Sequence, residues 1–132
     1  MTIKFFVPLK KVPTVTHQEK KISVKNGKPV VYEPAELKDA RSMLESRLAP
    51  YAPAEPITSG VRLTVKWLFP ITGKHTDGEY KLTRPDTDNL QKLLKDVMTH
   101  LGYWKDDALV CSEICEKFYA KVTGIYVVVE TL

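Results

Sequence analysis

Two short runs of the chain gather carboxylates: Arg84-Pro85-Asp86-Thr87-Asp88-Asn89-Leu90-Gln91-Lys92 and, further along, Trp104-Lys105-Asp106-Asp107. Hard divalent cations such as Mg²⁺ take carboxylate oxygens and keep several waters, so acids converging from two places can hold an ion against a phosphodiester. The chemistry these residue types point to is magnesium-dependent cutting of nucleic acid. Asp86 and Asp88 are separated by one residue, and in an extended segment such carboxylates point to one side. By the same alternation Asp106 and Asp107 point opposite ways, so one of them is expected to join the site. Lys92 follows Asp88 by one helical turn, where its ammonium can meet a scissile phosphate or orient water.

These residues need a support, and the best amphipathic helix in the sequence lies between them. Leu90, Leu93, Leu94, Val97, Met98 and Leu101 recur at the helical period as one apolar stripe. Gly102 is well placed to end that helix. A strand from Leu109 to Tyr119, lying beside the helix start, would bring the two acidic runs together.

The rest of the chain reads as a small α+β domain. Ile3 to Val7 forms a strand ended by Pro8, followed by a loop from Leu9 to Gln18. Residues 21–25 and 28–32 flank Asn26-Gly27, the strongest two-residue signal for a tight hairpin, because both turn positions need positive φ. Pro29 cannot donate to a ladder, which puts its strand at an edge or beyond the sheet and leaves the basic hairpin free to project. A helix begins at Pro34, buries Leu37, Ala40, Leu44 and Leu48, and stops near Pro50. After a proline-rich connector, Val61, Leu63, Val65, Trp67 and Phe69 alternate with Arg62, Thr64 and Lys66 as a half-buried strand. Residues 71–85 form a loop carrying Lys74, His75, Lys81 and Arg84, and Ile125 to Thr131 is the last strand. The expected architecture is a mixed or antiparallel sheet with two helices packed on one side, a single domain over residues 1–132.

Composition narrows the function classes. With 43% hydrophobic and 27% charged residues among 132, neither disorder nor a fibrous repeat is indicated. The N-terminal residues lack an apolar segment with a cleavage site, and no run reaches the length of a membrane span, so a cytoplasmic protein without membrane attachment is expected. The formal charge is +4, and its distribution says more than its size. From Met1 to Glu33 seven lysines, among them Lys20, Lys21, Lys25 and Lys28, stand against two glutamates. Such a block suits an anionic polymer, although a lysine-rich face also serves solubility. Cys111 and Cys115 are too far apart along a regular strand for a disulfide and lack partners for zinc, so both are expected as reduced core thiols. His17, His75 and His100 show no ligand spacing.

Every acid of the candidate site also has a structural use. Asp88 with Gln91 three residues on resembles a capping box, and Asp86 complements the helix dipole. Asp106-Asp107 can shape a turn after Gly102. The bare D-x-D spacing is shared by many metal users.

The longer pattern is more specific. The run Asp86-Thr87-Asp88-Asn89-Leu90-Gln91-Lys92, a helix, and then Gly102-Tyr103-Trp104-Lys105-Asp106-Asp107-Ala108 closely resembles the signature of the RusA family of Holliday junction resolvases, commonly encoded by phages and prophages. The likeness extends more loosely upstream through the first strand, the basic hairpin and the first helix. It implies a small homodimeric endonuclease that nicks four-way DNA junctions in pairs inside a bacterial or phage-infected cell. It also implies a requirement for Mg²⁺, with Mn²⁺ as a substitute. Position by position, the resemblance makes Asp86, Asp88 and Asp107 the metal-binding catalytic aspartates and Lys92 their helper, with Asp106 a weaker candidate. Lys20, Lys21, Lys25, Lys28, Lys74, Lys81 and Arg84 are expected to bind the DNA backbone.

Two departures from the pattern stand out. Asp77 and Glu79 interrupt the basic loop before the first aspartate, and Pro13-Thr14-Val15-Thr16-His17 replaces an asparagine-rich segment. Two other function classes therefore stay in view: a less selective metal nuclease of flaps or branched replication intermediates, and a non-catalytic DNA-binding module.

Overall fold

The computed structural model describes residues 1–14, 21–25, 27–32 and 34–132. In chain order the elements are β1 (Thr2–Pro8), β2 (Lys21–Lys25), β3 (Lys28–Tyr32), α1 (Ala35–Leu48), β4 (Val61–Pro70), α2 (Thr87–His100), β5 (Val110–Ala120) and β6 (Gly124–Thr131). Short 3-10 turns occupy Ala49–Tyr51 and Asp107–Leu109. The fold is α+β, with an open four-stranded mixed sheet in the order β1-β6-β4-β5 and a separate two-stranded sheet of β2 and β3.

Alternation and helical period explain most of this. Val61, Leu63, Val65, Trp67 and Phe69 of β4 are all buried, with less buried residues between them. Phe5 and Val7 of β1 and Ile125, Val127 and Val129 of β6 share that core. Leu37, Ala40, Leu44 and Leu48 of α1 meet Leu90, Leu93, Leu94, Val97 and Met98 of α2 in the same cluster. Pro34 occupies the N-cap of α1, one residue outside the helix it was expected to begin. The β2–β3 hairpin has the expected two-residue connection, with Lys25 paired to Lys28 and Gly27 at φ 75°. Among the described residues no helix is long and apolar enough to cross a membrane.

One pairing decides the position of the site. β4 and β5 are parallel, and a parallel pair requires a long crossover, which here runs through the 71–85 loop and α2. Every other pairing in the four-stranded sheet is antiparallel. β5 is an edge strand, and residues 78–81 cover part of its outer edge: Tyr80 bridges Phe118, and Lys81 N–H donates to the Lys117 carbonyl at 2.9 Å.

Candidate active site

The roll of α2 is fixed by its buried stripe, which leaves Asp88 and Lys92 exposed beside β5. They line a solvent-open cavity of about 440 Å³ together with Gln91 and Lys95 of α2. Across from them stand Asp107, Glu113 and Cys115. The crossover thus brings an acid from each of the two sequence runs to one cavity.

Asp107 owes its place to buried aromatics just before it. Gly102, at φ 83°, turns the chain out of α2 in a conformation that favours glycine. Tyr103 and Trp104 then plunge into the core at 0% and 1% exposure. The Tyr103 hydroxyl donates to the Leu48 carbonyl, and the Trp104 indole donates to Thr99 Oγ1 at 2.7 Å. Backbone bonds from Ile57 to Tyr103 and from Lys105 to Ile57 strap the segment down on its other side. The two acids that follow separate. Asp106 caps the 3-10 turn, its Oδ1 accepting from Ala108 N–H at 2.9 Å, while Asp107 lines the cavity. The division arises from that turn and not from strand alternation, because β5 begins only at Val110.

The other pair differs from expectation in the same way. α2 starts at Thr87, so Asp88 already lies in its first turn and Asp86 is the N-cap. Residues two apart on a helix diverge by roughly 200°, and the extended-chain argument for a common side does not apply there. Asp88 lines the cavity and Asp86 is not among its lining residues. The capping explanation also shifts. The Asp86 carbonyl accepts from Leu90 N–H at 3.2 Å, but its carboxylate makes no capping bond.

The floor of the cavity comes from β5. In register with Leu63, Val65, Trp67 and Phe69, its inward positions are Glu113, Cys115, Lys117 and Tyr119. Trp67 Nε1 donates to Gln91 Oε1 at 2.7 Å, and Gln91 Nε2 donates to Glu113 Oε2 at 2.8 Å. Lys95 Nζ donates to Glu113 Oε1 at 3.1 Å. Lys117 Nζ reaches the Thr83 and Pro85 carbonyls at 2.7 and 2.8 Å, tying down the chain just before Asp86. Lys95, Glu113 and Lys117 were not singled out from the sequence, and Gln91 was read only as half of a capping box. The signal for the two β5 residues was an inward strand face with no apolar run, in a strand whose outward face is equally mixed.

The cysteines are free, and of the two only Cys115 packs against the core as expected. Cys111 is exposed at a bulge where Val61 pairs with Val110 and Arg62 with Ser112. Cys115 walls the cavity, where burial pushes its thiol up to about 12. At Cys111 the edge strand lacks the covering that a core thiol needs.

The basic residues divide as well. Lys74 and Arg84 are exposed on the loop before the site. Lys81 is half-buried, donating to Thr83 Oγ1 at 2.8 Å and lying 5.0 and 5.3 Å from the Tyr119 and Phe69 ring centroids. The acids that interrupt this loop hold it in shape: Asp77 Oδ1 accepts from Lys121 N–H at 2.8 Å, and Glu79 bonds His75, whose ring stacks on Tyr119. Lys21, Lys25 and Lys28 belong to the β2–β3 hairpin, and Lys20 lies outside the described residues.

Comparison with known proteins places the chain in a family. The family model for endodeoxyribonuclease RusA matches residues 8–130. The chain belongs to the RusA family. Among its relatives, the crossover junction endodeoxyribonuclease RusA of Lactococcus phage r1t is 34% identical over 112 residues, 83% of each chain. The uncharacterized protein YqaN of Bacillus subtilis (strain 168) is 29% identical over 118 residues, 81% of this chain and 82% of the relative. In this RusA family member each of the two acidic runs sends one aspartate to the cavity, Asp107 placed by Gly102, Tyr103 and Trp104 and Asp88 by the α2 stripe.

Proposed function

We propose that this chain is a magnesium-dependent endodeoxyribonuclease that resolves four-way DNA junctions by paired phosphodiester hydrolysis, acting as a homodimer. The observation that carries the proposal is the meeting of Asp88 and Asp107 across one cavity beside Lys92. The phage relative named as a crossover junction endodeoxyribonuclease supports the substrate.

The donor set fits Mg²⁺. Among the described residues no three acids, imidazoles or thiols stand close enough to enclose an ion by themselves. Mg²⁺ commonly takes one or two carboxylates and completes its shell with water and substrate phosphate oxygens, so two facing aspartates suffice. A bound ion would supply activation of water and neutralisation of charge on the phosphoryl oxygens and the leaving 3′ oxygen. Asp88 and Asp107 would be the holders, while Asp86, the N-cap of α2, stands outside the cavity lining. Lys92 adds positive potential next to the phosphate. Lys74, Arg84 and the hairpin lysines bind the junction arms through their backbones, which steepens the salt dependence without reading bases.

A less selective nuclease of flaps and branched DNA is the second reading. The loop before Asp86 favours it, because Asp77 and Glu79 fold that loop onto β5 where a run of arginines would serve DNA. The test is cleavage of a synthetic mobile four-way junction, set beside flap and linear duplex substrates, by wild type and Asp88→Asn. Paired nicks in the junction by wild type and none by Asp88→Asn, with binding kept, are expected. Normal cutting by the variant would remove Asp88 from the site, and equal cutting of flaps would favour the second reading.

A further inference from the structure

The cavity contains an acid that lies outside the family pattern. Glu113 sits on the inward face of β5, opposite Leu63, and its side chain is 30% exposed. Each of its carboxylate oxygens takes one hydrogen bond, from Gln91 and from Lys95, residues on successive turns of α2. Gln91 is 4% exposed, and its amide is used at both ends, by Trp67 of β4 and by Glu113. A buried amide left without partners is costly, so this chain of bonds holds one geometry. A half-exposed ion pair alone would not. The tie lines the same cavity as both aspartates: Asp88 precedes Gln91 by one helical turn, and Asp107 opens the 3-10 turn that leads into the strand carrying Glu113.

We propose that Glu113 is a positioning residue of the divalent-ion site, locking α2 to β5 through Gln91 and Lys95 and so setting Asp88 against Asp107. The inference rests on the reading of the cavity as a divalent-cation site. Carboxylates and amides standing behind metal ligands commonly tune affinity about 10–100-fold. The bond between Gln91 and the Trp67 indole also gives the site a built-in reporter.

The experiment is a Mg²⁺ titration of the full chain without DNA, following the Trp67 indole N–H by NMR. Trp104, bonded to Thr99, serves as the internal reference. Wild type should show a saturable shift of the Trp67 resonance, and Asp88→Asn should abolish it. Glu113→Gln should keep the apo melting temperature within a few degrees, bind Mg²⁺ about tenfold more weakly or worse, and regain junction cleavage at high Mg²⁺. Lys95→Met, which leaves Glu113 charged and removes one tie, should move binding in the same direction and carries the test if Glu113→Gln does not fold. Unchanged Mg²⁺ affinity in a folded variant overturns the inference and leaves the metal site standing. Loss of cleavage at every Mg²⁺ concentration, tracking a lowered melting temperature, assigns Glu113 a purely structural role and also overturns it. A wild type with no saturable Mg²⁺ response overturns the metal site itself.

Discussion

β4 and β5 are parallel neighbours in perfect register from Arg62 to Pro70, yet their inward faces do different work. Leu63, Val65 and Trp67 are almost wholly buried, whereas their partners Glu113, Cys115 and Lys117 are partly open. The difference comes from position in the sheet. β4 is an interior strand whose inward face lies in the core, and β5 is the edge strand, with a cavity between it and α2. A central strand must supply apolar area, and an edge strand can spend its inward face on bonds to α2 and to the chain before Asp86. The active-site candidates lie along that boundary, with Trp67 reaching across it to Gln91.

Mutations can break this contrast from either side. The largest stability effect belongs to β4: Leu63→Ala, at 0% exposure, should cost about 3 kcal/mol in urea denaturation, with Mg²⁺ affinity of the folded fraction unchanged. A cost under about 1 kcal/mol would mean the core lies elsewhere. The smallest belongs to the turn that feeds β5. Asp106→Ala removes a cap and should cost on the order of 1 kcal/mol or less, with junction cleavage kept. Loss of cleavage at full stability would place Asp106 in the site beside Asp107.

The same contrast explains what the sequence revealed. β4 was legible because its alternation is unbroken from Val61 to Phe69, and α2 because Leu90 through Met98 keep the helical period. The buried set of α1 was equally plain in Leu37, Ala40, Leu44 and Leu48. β5 was visible as a strand but not as a cavity floor, since neither its inward set of Glu113, Cys115 and Lys117 nor its outward set of Ile114, Glu116 and Phe118 is uniformly apolar. Its pairing with β4 was hidden as well, because register between distant segments is a tertiary property. The acidic pairs stood out by type, but their directions were argued from strand alternation. A helix starting at Thr87 and a 3-10 turn at Asp107 set those directions instead.

The central claim is that Asp88 and Asp107, from two elements, serve one ion. A double-mutant cycle in cleavage of a four-way junction at fixed Mg²⁺ tests it most directly. Asp88→Asn and Asp107→Asn should each slow cleavage by several kcal/mol of barrier, roughly a thousandfold. If they act as a unit, the double variant should be about as slow as either single one. Losses that multiply would mean the two aspartates act independently and would contradict the shared site.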